Sequence, residues 1–226
     1  VTGGNVSFYN ETDGRGIFPT PVIGMVGIIE DMRNVTTQWF KNEDRAILLL
    51  GETRSDLGVS QYALAHGLTR GRVPELDLEL ERRVQEACLK IIQAGLVESA
   101  HDLSDGGLAI ALAECSFSSY RRKALGCEVG LEGDLSGAAL LFSETPSRIV
   151  VSATDENVEQ ILEIARESGI RSAVIGRTGG ENFVIKSNKE TVINRPISEI
   201  ESEWRNVLPQ AVEVASLVSA EEGLTS

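Results

Sequence analysis

The sequence is poor in several residue types, and each shortage removes a class of function. Its three cysteines, Cys88, Cys115 and Cys127, are odd in number and lack metal-ligand spacing. That excludes a disulfide framework and a thiolate zinc site. Cys88 and Cys115 fall in helical apolar patterns, so buried free thiols in a reducing, cytoplasmic setting are expected. Of the two histidines, His66 sits among alanines and leucines with no second His or Cys nearby, and a partly buried structural role is expected. No apolar run reaches membrane length, and no charged-then-apolar leader opens the chain. Positive charge is also short: 21 Lys and Arg against 34 Asp and Glu leave a net charge of −13. Such a field disfavours nucleic acid and anionic membranes as partners. Arg121-Arg122-Lys123, with Tyr120 as its one aromatic neighbour, reads as a solvated loop or a subunit contact.

What remains is ordinary for a globular protein. Hydrophobic residues make up 42% and charged residues 24% of 226, which excludes disorder and fibres. The length suits one good-sized core, or one domain plus a fragment. The chain opens on Val1 inside a motif, which predicts a piece of a longer protein.

Periodicity divides the chain into alternating elements. Residues 5–9 alternate as a strand, Glu11 to Gly16 form a polar loop, and Val22 to Ile29 read as a buried strand. Met32 to Asn42 are expected to hold a further strand and a connection. The charged run Lys41 to Arg45 marks a domain junction. Strands are predicted at 45–50, 99–103, 125–131, 148–153, 173–176 and 182–186, with another at 191–194. Helices are predicted at 60–67, at 107–116, and as a short helix or apolar turn at 136–142. The clearest helix places Leu80, Val84, Ala87, Cys88 and Ile91 on one face and ends at Gly95. A second amphipathic helix covers 157–168. Gly176 to Gly180 read as a hairpin turn between two strands. The tail from Ile197 is helical and acidic, broken at Pro209. This irregular alternation predicts an α+β (mixed α/β) fold, a mixed sheet covered by helices.

The chemistry concentrates in four stretches. The first is Val1-Thr2-Gly3-Gly4-Asn5-Val6-Ser7-Phe8-Tyr9-Asn10-Glu11, where glycine amides, an amide oxygen and a hydroxyl share one extended segment. The second is Pro19-Thr20-Pro21-Val22-Ile23-Gly24-Met25-Val26-Gly27. The third is Ala100-His101-Asp102-Leu103-Ser104-Asp105-Gly106-Gly107-Leu108, and the fourth Leu141-Phe142-Ser143-Glu144-Thr145-Pro146-Ser147-Arg148. In this order and spacing they resemble phosphoribosylformylglycinamidine synthase, in its small form, from Val1 to about Ile185.

That resemblance implies an ATP-dependent, amidine-forming ligase of purine biosynthesis, with this chain as its C-terminal part. It implies three regions: residues 1–42 as the end of a second N-type, ATP-binding domain, 43–203 as a C-type domain of the aminoimidazole-ribotide-synthetase-like superfamily, and 204–226 as a helical tail. It further implies that Gly4 lies against ATP, Asn5 helps hold Mg²⁺, and Ser7 contacts formylglycinamide ribonucleotide. Partners would be a glutaminase subunit, a small accessory subunit and the remainder of the same chain. No general acid or base is expected here, because those groups would lie on the other half. Two rival readings stay open: another ATP-using member of the superfamily, and a non-catalytic half that docks partners.

Asp102 and Glu144 mark a second pocket with two readings each. Asp102 either keeps a metal-related role or belongs to a capped turn, with Ser104 or Asp105 as N-cap and the Gly106 and Gly107 amides as an anion site. Glu144 either faces a ligand or pairs with Arg148. A His101-Asp102-Ser104 triad is rejected, because adjacent strand residues point to opposite faces.

Overall fold

The computed structural model describes residues 3–4, 10–18, 22–68, 70–119 and 122–223, with side chains as far as Val212. The chain divides into two compact units, Val1–Arg33 and Asn34–Ser226.

In the first unit, β1 (Glu11–Thr12) pairs antiparallel with β2 (Arg15–Gly16). Asp13 (φ 52°) and Gly14 (φ 72°) form the turn. Two positive φ values in a two-residue Asp-Gly loop match the twist of a hairpin, a signal the polar-loop reading passed over. The strand expected over Val22 to Ile29 is not formed. The segment is irregular and exposed, with Val22 at 95% and Met25 at 92%. A strand needs a hydrogen-bonded neighbour, and no described strand pairs with this run. The strand expected at 5–9 lies outside the described residues.

The second unit is a seven-stranded sheet between two helical layers. Its strands are β3 (Ala46–Leu50), β4 (Ser99–Asp102), β5 (Cys127–Leu131), β6 (Ile149–Ala153), β7 (Ser172–Thr178), β8 (Asn182–Ser187) and β9 (Glu190–Pro196). Their order is β4-β6-β3-β7-β5-β8-β9, antiparallel throughout except for β5 against β8. The interior strand β3 shows why its five apolar residues need cover on both faces. Ile47 and Leu49 enter one core, while Ala46, Leu48 and Leu50 enter the other, as the two-residue period demands.

On the second face lie α2 (Leu78–Gln93) and α5 (Asp155–Glu167). Val84, Ala87, Cys88 and Ile91 of α2 are buried there with Ile161 and Ala165 of α5. On the first face lie α3 (Gly107–Ser116) and α4 (Gly137–Phe142), joined by Ile197 at the start of α6 (Ile197–Gly223). The short α1 (Gln61–Ala65) is capped by the Ser60 hydroxyl. All three cysteines are buried and unpaired, as expected.

Several local expectations are corrected. Gly176 to Gly180 do not make a hairpin, because β5 lies between β7 and β8 and pairs with both. The hairpin is β8–β9, turned by Asn188 (φ 49°) and Lys189 (φ 71°). Helix α6 runs through Pro209 without a break. Its backbone there is exposed, so the carbonyl that proline leaves unpaired stays in water. His66 is exposed rather than partly buried; it ends α1, with Nδ1 2.8 Å from the Tyr62 carbonyl oxygen and its ring stacked 4.1 Å from the Tyr62 ring. The 3₁₀ turn Met32–Asn34 and an isolated bridge from Thr37 to Ser99 replace the strand expected in 32–42.

Candidate functional site

Three loops at one end of the second sheet converge: the one after β3, the β4–α3 turn and the α4–β6 turn. Their convergence rests on glycine at two points. A Cβ on Gly51 (φ 94°) would lie 2.2 Å from the Ser147 carbonyl oxygen, and one on Gly107 (φ 69°) 2.5 Å from that of Ser143. Both the backbone twist and the close approach exclude a side chain.

Glu144 holds the loops together. Its Oε1 accepts hydrogen bonds from the Gln61 and Gly106 amides, each at 2.8 Å, and its own amide donates to the Asp56 carbonyl at 3.0 Å. The carboxylate therefore takes the amide that a bound anion would use at the start of α3. Neither Ser104 nor Asp105 caps that helix. Gly106 is the N-cap, in the left-handed region at φ 79°, and has no side chain of its own to cap the helix. The Gly107 amide turns back to the Ser104 carbonyl at 3.1 Å, so the turn satisfies itself through backbone.

Arg148 does not pair with Glu144. It is 2% exposed and donates from Nε to the Thr145 carbonyl (2.8 Å), from Nη1 to the Thr53 hydroxyl (3.0 Å) and from Nη2 to the Ser143 carbonyl (2.6 Å). Burial pulls this guanidinium down to about 10; the nearby Asp56 carboxylate opposes the shift and Arg54 adds to it. Asp56 is held by Arg54 Nε at 3.1 Å and by the Thr145 hydroxyl at 2.8 Å. Sequence reasoning missed Asp56 and Thr53, which no motif flags.

Asp102 and Glu144 line one cleft of about 650 Å³ with Ser104, Asp105 and Arg148. Asp102 is largely exposed on that cleft, its Oδ1 3.4 Å from His101 Nδ1. His101 is half-buried under α3, with Nε2 2.9 Å from Glu114 Oε2. Two acids thus flank the imidazole and no serine joins it, in keeping with rejection of the triad. Of the opening motif, Gly4 is exposed, with open space where a Cβ would sit. Asn5 and Ser7 lie outside the described residues. Among the described residues no group of three His, Cys, Asp or Glu is placed to hold a metal.

The model of the AIR synthase related protein C-terminal domain matches residues 42–186. The chain belongs to that family. Among curated relatives, a phosphoribosylformylglycinamidine synthase subunit PurL from Moorella thermoacetica is 45% identical over 92% of the chain. One from Caldanaerobacter subterraneus is 40% identical over 91%. The family resemblance read from the four motifs is thereby borne out. The chain spans 28% of the length of each of these relatives. Two Thermotoga maritima PurL structures, one complexed with FGAR and one with ATP, share the fold. The first gives a TM-score of 0.64 at 23% identity over 74% of this chain and 29% of that one; the second gives 0.61 at 22% over 75% and 28%. The mixed, helix-covered α+β fold is the family's own.

Proposed function

We propose that this chain is the C-terminal part of an ATP-dependent ligase that converts formylglycinamide ribonucleotide, ATP and ammonia into the amidine, ADP and phosphate. The observation that carries this reading is 40–45% identity, over nine-tenths of the chain, to relatives named for that synthase. In this reaction ATP phosphorylates the formyl-amide oxygen, and ammonia then displaces phosphate from carbon. Positioning does most of the work in such transfers.

Within that reading, Gly4, Asn5 and Ser7 contribute one edge of the site toward ATP, Mg²⁺ and substrate. Mg²⁺ would need oxygen ligands from the rest of the protein as well, since the described residues offer no cluster. The domain limits at 42 and 203, the partner glutaminase and accessory subunits, and a cytoplasmic setting belong to the same proposal. Three buried free thiols support a reducing compartment. No described helix is long and apolar enough to cross a membrane.

The Asp102 and Glu144 cleft favours a structural role over a second nucleotide pocket, because Glu144 already occupies the Gly106 amide. The test is an assay of the complete protein for ADP release with ammonia as nitrogen donor. Release that depends on formylglycinamide ribonucleotide, and that falls at least roughly tenfold in Asn5→Ala but not in Asp102→Ala, supports the proposal. ADP release without that substrate overturns it.

A further inference from the structure

We propose that the cleft where the end of α3 meets α6 binds a small planar anion, an aromatic or heteroaromatic ring bearing a carboxylate or a phosphate ester. The chain has two tryptophans, and both line this one cleft of about 450 Å³. The buried Phe117 ring sits 5.2 Å from Trp204 and backs the floor. Concave sites of this size with aromatic walls and a few aimed polar groups are the usual form of a small-ligand site.

The polar groups in the cleft are unequal. Glu114 is committed to His101, and Arg205 to Glu201 at 2.8 Å and to the Ser118 carbonyl at 2.7 Å. Arg205 also lies over the Trp204 ring at 5.6 Å, which fixes that wall. The side chains of Gln38, Ser119 and Arg122 line the same cleft and make no side-chain hydrogen bond to another described residue. Arg122 is thus the one lining cation among the described residues whose charge is not matched by an acid at bonding distance. Outside the lining, Lys41 senses the same charge: burial first, and then Arg122, hold its ammonium below the usual lysine range, with Glu98 opposing. An acid-free Arg122 beside the Gln38 amide and the Ser119 hydroxyl favours an anion at this corner of a chain whose net charge is −13.

Gln38 and Trp39 precede, and Trp204 and Arg205 follow, the segment that the family model matches. The cleft is therefore built partly from outside the matched domain, and it stands independently of the ligase proposal.

Because both tryptophans report on the cleft, emission of the whole 226-residue chain can be followed directly. The probes are adenosine monophosphate and benzoate, with adenosine and inorganic phosphate as controls. A saturable response to either probe with Kd below roughly 1 mM, at least about tenfold tighter than to the controls, is expected. Arg122→Ala should weaken it roughly tenfold and Gln38→Ala less, with far-UV circular dichroism unchanged. Asp102→Ala should leave it alone. A response to adenosine monophosphate only selects the phosphate ester, and to benzoate only the carboxylate. No saturable response to either, or one indifferent to Arg122→Ala, overturns the proposal.

Discussion

Arg148 and Glu144 do similar work with opposite charges: each long side chain satisfies backbone groups of loops that would otherwise have no buried partner. For Arg148 those are the Ser143 and Thr145 carbonyls, with the Thr53 hydroxyl beside them. Arg148→Ala is expected to cost about 2–3 kcal/mol, read from the denaturation midpoint, because it leaves buried acceptors unpaired and opens a void. Glu144→Gln keeps an oxygen for the Gln61 and Gly106 amides and should cost less than about 1 kcal/mol, whereas Glu144→Ala should cost about 2. Equal losses in the two Glu144 variants would contradict the assigned role. The motif residues were all visible in the sequence, but their partners were not. Glu144 lies four positions before Arg148, which invites pairing, yet the backbone between them turns through Ser147 at φ 62° and sends the two side chains to different amides and carbonyls.

At the scale of elements, α2 and the β4–α3 turn carry the clearest consequences. Burial raises the Cys88 thiol to about 11 and the Cys127 thiol to about 12. Both folded values lie above the ordinary thiol value near 9. The stability they contribute is full below that value and is lost as pH rises toward 11–12, since the unfolded chain releases its protons first. Denaturation midpoints should therefore fall between pH 8 and pH 10, and Cys88→Ala should show a smaller fall than the parent. A parallel fall in both would remove Cys88 from the account. Gly107→Ala should destabilise by at least about 2 kcal/mol, because a left-handed φ and a 2.5 Å contact with the Ser143 oxygen act together. Helices α2 and α5 were legible because their apolar stripes and end signals agree, and α3 because its alanine- and leucine-rich run is apolar on nearly every side. The turn at 176–180 was misread because sequence shows only that two strands are consecutive, and a strand from elsewhere can lie between them.

At the scale of the whole molecule, the two units differ in how they bury apolar surface. The second packs both faces of its sheet, whereas the first leaves Val22, Met25, Val26 and Ile28 more than nine-tenths exposed. An apolar run of this kind binds dyes and other chains. Removing residues 1–33 should lower dye binding and self-association, while the main unfolding transition stays cooperative and shifts by no more than about 2 °C. A lost transition would show that the second unit depends on the first. By itself the sequence determined the class of fold, the family, the position of most elements and the two-faced burial of the sheet. Each of these follows from local period, capping residues and contiguous motifs. Only the tertiary structure decided the strand order, the parallel β5–β8 pair, the exposed state of Val22 to Ile29 and the use of Glu144 as an internal anion. Those outcomes depend on which distant backbone groups meet, and hydrogen bonds between distant segments leave no periodic trace in the order of residues.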